Sequence, residues 1–251
     1  MARVRLDTLL VTRGLAASRE RARALVLAGR VQVDGVTVAK AGHLIDERAS
    51  LSLAVPDHPY VGRGGVKLAH ALDAFAIPVR GRLALDIGAS TGGFTDVLLK
   101  AGASRVVALD VGHGQIDWTL RNDARVVVLE RVNARTLTPD ILPPGLRAFD
   151  IVTIDVSFIS LRLILPVVPP LIGPGADVVV LVKPQFEAGR REVGRGGIVR
   201  DERVHARVIA EIVDAADRVG LARVADTASP LPGVEGNREY FLHLRAAEAR
   251  S

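Results

Sequence analysis

The residues of this chain best suited to chemistry form a run of glycines and small polar side chains, Leu85-Asp86-Ile87-Gly88-Ala89-Ser90-Thr91-Gly92-Gly93-Phe94-Thr95. The pattern reads as a strand, a tight turn and the start of a helix. Glycine lets a ligand approach the backbone closely, and the free N–H groups of a helix N-terminus attract a carboxylate or phosphate. A dinucleotide would fit on physics alone. The spacing is not G-x-G-x-x-G, however, and no Walker lysine follows, which weakens the dehydrogenase and nucleoside-triphosphatase readings. The acid inside the turn also repels phosphate. The next apolar run ends at Asp110, 24 residues after Asp86, and a carboxylate at a strand tip can accept from both hydroxyls of a ribose. An acid that merely caps a strand is the plain alternative.

A second set of residues is basic. Residues 1–55 hold nine Lys or Arg against five acids, a surplus of four in a chain whose net charge is +5. Arg19 and Arg23 lie four apart on one helical face, Arg30 stands at the turn beyond, and Arg5, Arg13 and Lys40 add to the patch. Clustered cations favour a polyanion, although a solvated helix face would look the same. Here Leu6, Leu9 and Leu10 predict a short helix ending near Gly14. Ser18 is a good N-cap for a second helix that turns Ala22, Leu25 and Val26 inward, and Gly29 stops it. Val31-Gln32-Val33, the turn dipeptide Asp34-Gly35, Val36-Thr37-Val38 and Leu51-Ser52-Leu53 then predict a small twisted sheet. The run from Ser18-Arg19 through Gly29-Arg30-Val31-Gln32-Val33-Asp34-Gly35 resembles the alpha-L, or S4, RNA-binding fold. That resemblance implies a basic helix face and turn docked on structured RNA, with Arg5, Arg13, Arg19, Arg23, Arg30 and Lys40 as the contacts.

The remaining elements must position the glycine turn. Pro56 to Pro59 reads as a linker, taken as residues 56–64. Beyond it, over 65–251, apolar runs at Leu83–Ile87, Val106–Leu109, Val126–Leu129, Ile151–Ile154 and Val178–Val182 alternate with helix patterns, as in a doubly wound α/β domain. A helix spans about Asp201 to Val219, and Glu239-Tyr240-Phe241-Leu242-His243-Leu244 predicts a final, antiparallel strand. Composition agrees: 49% hydrophobic but 4% aromatic residues puts burial on Val, Leu, Ile and Ala, which suits parallel strands covered by helices. At 251 residues the chain can hold one large domain, or a small one and a medium one.

Asp86 through Phe94 together with Asp110 resemble the S-adenosylmethionine-binding half of a methyltransferase. The form Asp-Ile-Gly-Ala-Ser-Thr-Gly-Gly-Phe, with Ser90 where many such enzymes have glycine, resembles the FtsJ class of ribose methyltransferases in particular. The resemblance implies S-adenosylmethionine as cofactor, held by Asp86, Gly88, Ala89, Ser90, Thr91, Gly92, Gly93, Phe94, Asp110 and Asn133. It also implies a Lys-Asp-Lys-Glu tetrad, which falls on Lys67 in Gly62-Arg63-Gly64-Gly65-Val66-Lys67, Asp155 in Asp155-Val156-Ser157-Phe158-Ile159-Ser160, Lys183 before Pro184, and Glu239 in Gly236-Asn237-Arg238-Glu239. Methylating a ribose hydroxyl needs a base and in-line placement, not a covalent nucleophile, and this suits a chain without cysteine. These motifs, with Leu181-Val182-Lys183-Pro184-Gln185-Phe186-Glu187, occur in one order along nearly the whole chain, as in the TlyA family. Its members are named both as hemolysin A and as 16S/23S rRNA cytidine-2′-O-methyltransferases.

The expectation is therefore an α/β chain: a Rossmann-like S-adenosylmethionine-dependent methyltransferase fold behind a small N-terminal α+β alpha-L RNA-binding domain, acting in the cytoplasm on ribosomal RNA or ribosomal subunits. No metal is expected, since cysteine is absent and the six histidines show no ligand-like pairing. No membrane span is expected either. The least charged stretch, Leu163 to Ala176, is interrupted by four prolines and is shorter than the roughly 20 apolar residues a span requires. Two alternatives remain, a hemolytic or membrane-active protein and an RNA-binding protein whose methyltransferase domain is inactive.

Overall fold

A computed structural model describes residues 3–16, 18–53, 58–233 and 235–246. The N-terminal unit contains β1 (Arg3–Arg5), α1 (Leu6–Thr12), α2 (Arg19–Leu27), β2 (Val31–Val33), β3 (Val36–Thr37), β4 (Leu44–Asp46) and β5 (Leu51–Leu53). Ser18 caps α2 by accepting from the Arg21 N–H at 3.1 Å. Asp34 and Gly35, both at positive φ, turn β2 into β3, as the dipeptide predicts. One difference emerges. The small sheet is two sheets, β3-β2-β5 and a pair made by β1 with β4, so a strand precedes the helices. Three residues, of which only Val4 is apolar, carry too little periodicity to announce it.

The larger unit contains α3 (Arg63–Ala74), β6 (Leu83–Ile87), α4 (Gly93–Lys100), β7 (Arg105–Asp110), α5 (Trp118–Arg121), β8 (Val126–Glu130), β9 (Phe149–Ile154), β10 (Ile172–Val182), α6 (Pro184–Glu187), α7 (Glu202–Asp217), β11 (Leu221–Ala228) and β12 (Tyr240–Ala246). The sheet runs β11-β12-β10-β9-β6-β7-β8. Strands β10, β9, β6, β7 and β8 pair in parallel, while β12 is antiparallel to both β10 and β11. The expected strands are all present, and β12 is antiparallel as anticipated. Strand β10 starts earlier than Val178, and β11 is an addition to the reading.

Alternate residues of the central strands enter two cores. Leu85, Ile87, Val107, Leu109, Val178 and Val180 pack on one face, whereas Ala84, Val106, Ala108, Val179 and Leu181 pack on the other. Burial on both faces explains why these segments read as continuous apolar runs. Truncating one such leucine to alanine would cost roughly 2–5 kcal/mol. The expected linker lies partly outside the described residues, at 56 and 57. Its later part belongs to the larger unit: Val61 is buried and donates its N–H to Asp96 at 2.9 Å, and α3 begins at Arg63.

Strand order reverses at β6. The chain passes outward through β7 and β8, then returns to add β9 on the other side of β6. The crevice at the carboxyl ends of β6 and β9 is the place where open α/β sheets bind ligands.

Candidate active site

The glycine turn leaves β6 at that crevice. Gly88 and Ala89 donate to the Leu109 carbonyl at 2.8 and 3.0 Å, and Asp155 donates its N–H to the Ile87 carbonyl at 2.9 Å. Gly88 has φ +88, and a Cβ there would overlap the Asp155 carbonyl. Only glycine allows the turn to lie against the strand end that carries Asp155. Gly92, also left-handed, precedes α4 and has no side chain with which to cap the helix. Ser90 sits at φ +48, a conformation costly for a non-glycine residue, and donates its N–H to Asp110 at 2.8 Å. The other Asp110 oxygen accepts from Gly112 at 2.6 Å. Asn133 caps the turn after β8, where Val132 bonds back to the Asp110 carbonyl.

Asp86 takes a different place from the rest of the turn. It is fully buried, and its two oxygens accept from the Thr95 and Thr153 hydroxyls at 2.7 and 2.9 Å. Burial pushes its carboxyl up to about 7 against the opposing effect of the two hydroxyls. The side chain props the turn from beneath.

The four tetrad residues form two ion pairs at the same end of the sheet. Lys67 Nζ lies 2.5 Å from Glu239 Oε2, and Lys183 Nζ lies 2.5 Å from Asp155 Oδ1. Their positions follow from the register. Val182 is paired with Tyr240, so Lys183 and Glu239 occupy the next places along, and Asp155 follows Ile154, the partner of Val180. Lys67 arrives on α3, whose first turn lies on that of α4. A Cβ on Gly93 would come within 3.0 Å of Gly65 N and 3.3 Å of Gly64 Cα. The Gly-Arg-Gly-Gly motif is thus a close helix contact that brings Lys67 to the crevice.

Three neighbours escape a reading by motif. Ser157 Oγ accepts from Lys183 Nζ at 2.9 Å. Glu187 accepts from Ser160 Oγ at 2.6 Å and from Leu161 N–H at 2.7 Å, clasping the loop after β9 to α6, and burial raises its pKa despite those bonds. Phe158 is 91% exposed at φ +64, with its ring 5.0 Å from that of Phe186. All lie inside the two segments that carry Asp155 and Lys183, and that adjacency is their only signal in the sequence.

The basic residues divide by what they touch. Arg13 donates to the Ala49 carbonyl at 2.7 Å and to that of Glu47. Arg5 and Arg19 flank buried Asp7, and the Arg5 bond holds that carboxyl down at about 2. These three partly serve the fold. Arg23 and Lys40 are exposed, while Arg30 is half-buried. Arg21 reaches out of the unit altogether to Asp117, at 3.1 Å. Among the described residues no helix is long and apolar enough to cross a membrane, and no group of three potential ligands gathers for a metal.

Two family models match the chain, the FtsJ-like methyltransferase over residues 60–246 and the S4 domain over residues 4–49. The 16S/23S rRNA (cytidine-2′-O)-methyltransferase TlyA of Mycobacterium tuberculosis is 50% identical over 250 residues, 99% of this chain and 92% of that one. The solved structure of a Streptococcus thermophilus protein named for hemolysis superposes with a TM-score of 0.76 and 42% identity, over 99% of this chain and 90% of that one. An S-adenosylmethionine-dependent methyltransferase of Mesorhizobium loti shares the fold at TM-score 0.53 and 16% identity, over 70% of this chain and 96% of that one.

Proposed function

The chain belongs to the FtsJ-like methyltransferase family and carries an S4 domain ahead of that unit, and from that premise we propose that it methylates the ribose 2′-OH of a cytidine in 16S or 23S ribosomal RNA, with S-adenosylmethionine as donor. The observation that carries the reading is the meeting of the Lys67–Glu239 and Lys183–Asp155 pairs beside the glycine turn. The residues fit the cofactor. Asp110 stands at the tip of β7 for ribose hydroxyls, and the start of α4, entered through Gly92 with no side-chain cap, suits a carboxylate. When bound, S-adenosylmethionine supplies an electrophilic methyl group on a sulfonium that leaves as a neutral thioether.

Lys183, as its free amine, accepts the 2′-hydroxyl proton while the oxygen forms its bond to the methyl carbon. Asp155 and Ser157 fix the direction of the Lys183 side chain. Lys67 and Glu239 hold one another and position the ribose. The S4 domain supplies the RNA anchor, and the reading places the chain in the cytoplasm with ribosomal RNA or subunits as partner.

General-base catalysis contributes on the order of 10²–10⁴ in rate. Lys183→Ala should therefore lower single-turnover methylation by that order or more, with cofactor and RNA binding within a few fold of wild type. Lys183→Arg should not restore the rate, because arginine stays protonated. A near-normal rate in Lys183→Arg would remove the base assignment. Mapping of ribose methylation on rRNA from cells with and without the gene tests the substrate. Leakage of dye-loaded vesicles tests the lytic alternative.

A further inference from the structure

The segment joining α6 to α7 lies outside every role assigned so far. From Gly189 to Arg200 it holds four arginines, Arg190, Arg191, Arg195 and Arg200, and one acid, Glu192. That acid is committed: its carboxylate accepts from Arg207 at 2.6 Å and from the Gly189 N–H at 2.9 Å. All four arginines are exposed. The segment thus presents cations to solvent with its own counter-charge withdrawn.

It is also fastened, and to a particular place. Asn237 is buried, accepting from the Val199 N–H at 3.0 Å and donating to the Gly197 carbonyl at 2.8 Å. His205, buried at the start of α7, lies 2.9 Å from the Val199 carbonyl through Nε2 and 3.0 Å from Tyr240 Oη through Nδ1. Asn237 and Tyr240 bracket Glu239. A solvated loop without a task needs no such anchorage, whereas a loop that must hold a substrate at a fixed offset from Glu239 does.

We propose that residues 189–200 form a second RNA clamp, in which Arg190, Arg191 and Arg195 take phosphates of the strand whose ribose enters the tetrad. The inference rests on the rRNA reading above. The S4 unit meets the catalytic domain through Arg21 and Asp117, just beyond β7, whereas this segment is fixed beside β12. Those strands stand four places apart in the sheet, about 19 Å at the usual strand spacing. The tetrad lies between them, so the RNA is gripped on both sides of the reacting nucleotide.

The test compares two triple reversals in the full chain. One is Arg190→Glu with Arg191→Glu and Arg195→Glu. The other, of equal charge, is Arg80→Glu with Arg105→Glu and Arg218→Glu, all exposed and near the opposite end of the sheet. Equilibrium binding to an rRNA fragment is measured across salt, together with single-turnover methylation and cofactor calorimetry. Each lost phosphate contact removes roughly 0.7–0.9 from the log–log salt slope. The clamp reversal should therefore flatten the slope by about 2 and weaken binding at least about tenfold near 0.1 M salt, with cofactor affinity within twofold of wild type. The control reversal should leave the slope unchanged. Equal slopes in wild type and clamp reversal, or the same loss in both reversals, would overturn the clamp. A wild-type chain that binds rRNA with the expected salt dependence but methylates no ribose would instead sink the functional reading and leave the clamp standing.

Discussion

Asp86 is a carboxylate sealed beneath the glycine turn with two hydroxyl donors and no cation. Burial raises its pKa from 3.8 to about 7. The folded state therefore binds this proton more tightly than the unfolded chain does. Its contribution to stability is complete below pH 3.8 and is lost as pH rises through about 7. The full shift corresponds to a difference on the order of 4 kcal/mol. Asp86→Asn keeps the shape and a partner for each hydroxyl while removing the charge. Urea unfolding of the ligand-free protein from pH 5 to 8 should show a flatter profile for the variant and a gain of about 1–3 kcal/mol at pH 8; curves that fall in parallel would place the ionisation elsewhere. Motif spacing groups Asp86 with the cofactor contacts because it cannot distinguish a residue lining a turn from one supporting it. Asp110, Asp155, Lys183 and Glu239 were legible as residues at the edges of apolar runs, and Lys67 as one at the start of a helix. Ser157, Glu187 and Phe158 were not, since their roles arise only when the segments after β9 and β10 face one another.

At the scale of elements, what was legible follows burial. Strands buried on both faces read as unbroken apolar runs, and all of them were found. Strand β11 lies at the sheet edge with Leu221 alone buried, and Leu-Ala-Arg-Val-Ala-Asp-Thr-Ala carries no clear two-residue alternation to reveal it. The contact of α3 with α4 was invisible for another reason: Gly64, Gly65 and Gly93 declare close approach, not what approaches. Gly93→Ala tests that contact. Its Cβ would press on backbone atoms of Gly64 and Gly65, which cannot swing aside as a side chain could. Overpacking of this kind costs typically 1–3 kcal/mol. The variant should lose that much in thermal or urea unfolding and should lose turnover as Lys67 is displaced from Glu239. Wild-type stability together with wild-type turnover would mean that the helices separate without moving Lys67.

For the whole molecule, the question is how the S4 unit, proposed as an RNA anchor, and the glycine turn, proposed as the cofactor site, would act together. Arg21 projects from α2 and meets Asp117 at 3.1 Å, and a Cβ on Gly114 would lie 3.4 Å from Glu20. Asp117 is no bystander to the glycine turn, because its N–H donates to the Thr91 carbonyl at 3.0 Å and its carboxylate caps α5 through Thr119. Burial pushes the Asp117 pKa upward, but the Thr119 bonds and Arg21 outweigh it and leave it below the usual carboxylate value. A ligand that steadies the S4 unit against this segment therefore steadies the turn. Linkage makes the effect reciprocal, and couplings of this kind typically amount to 1–3 kcal/mol. In wild type, an rRNA fragment should tighten S-adenosylmethionine binding by about fivefold or more, and the cofactor should tighten RNA binding by the same factor. Arg21→Ala removes the bridge without touching either binding surface. Calorimetry on the variant should give cofactor affinity within twofold of wild type in the absence of RNA, and a ratio near one between the RNA-bound and free forms. If the ratio survives in Arg21→Ala, the two domains communicate through the connection near residue 60, and the α2 contact only sets their orientation.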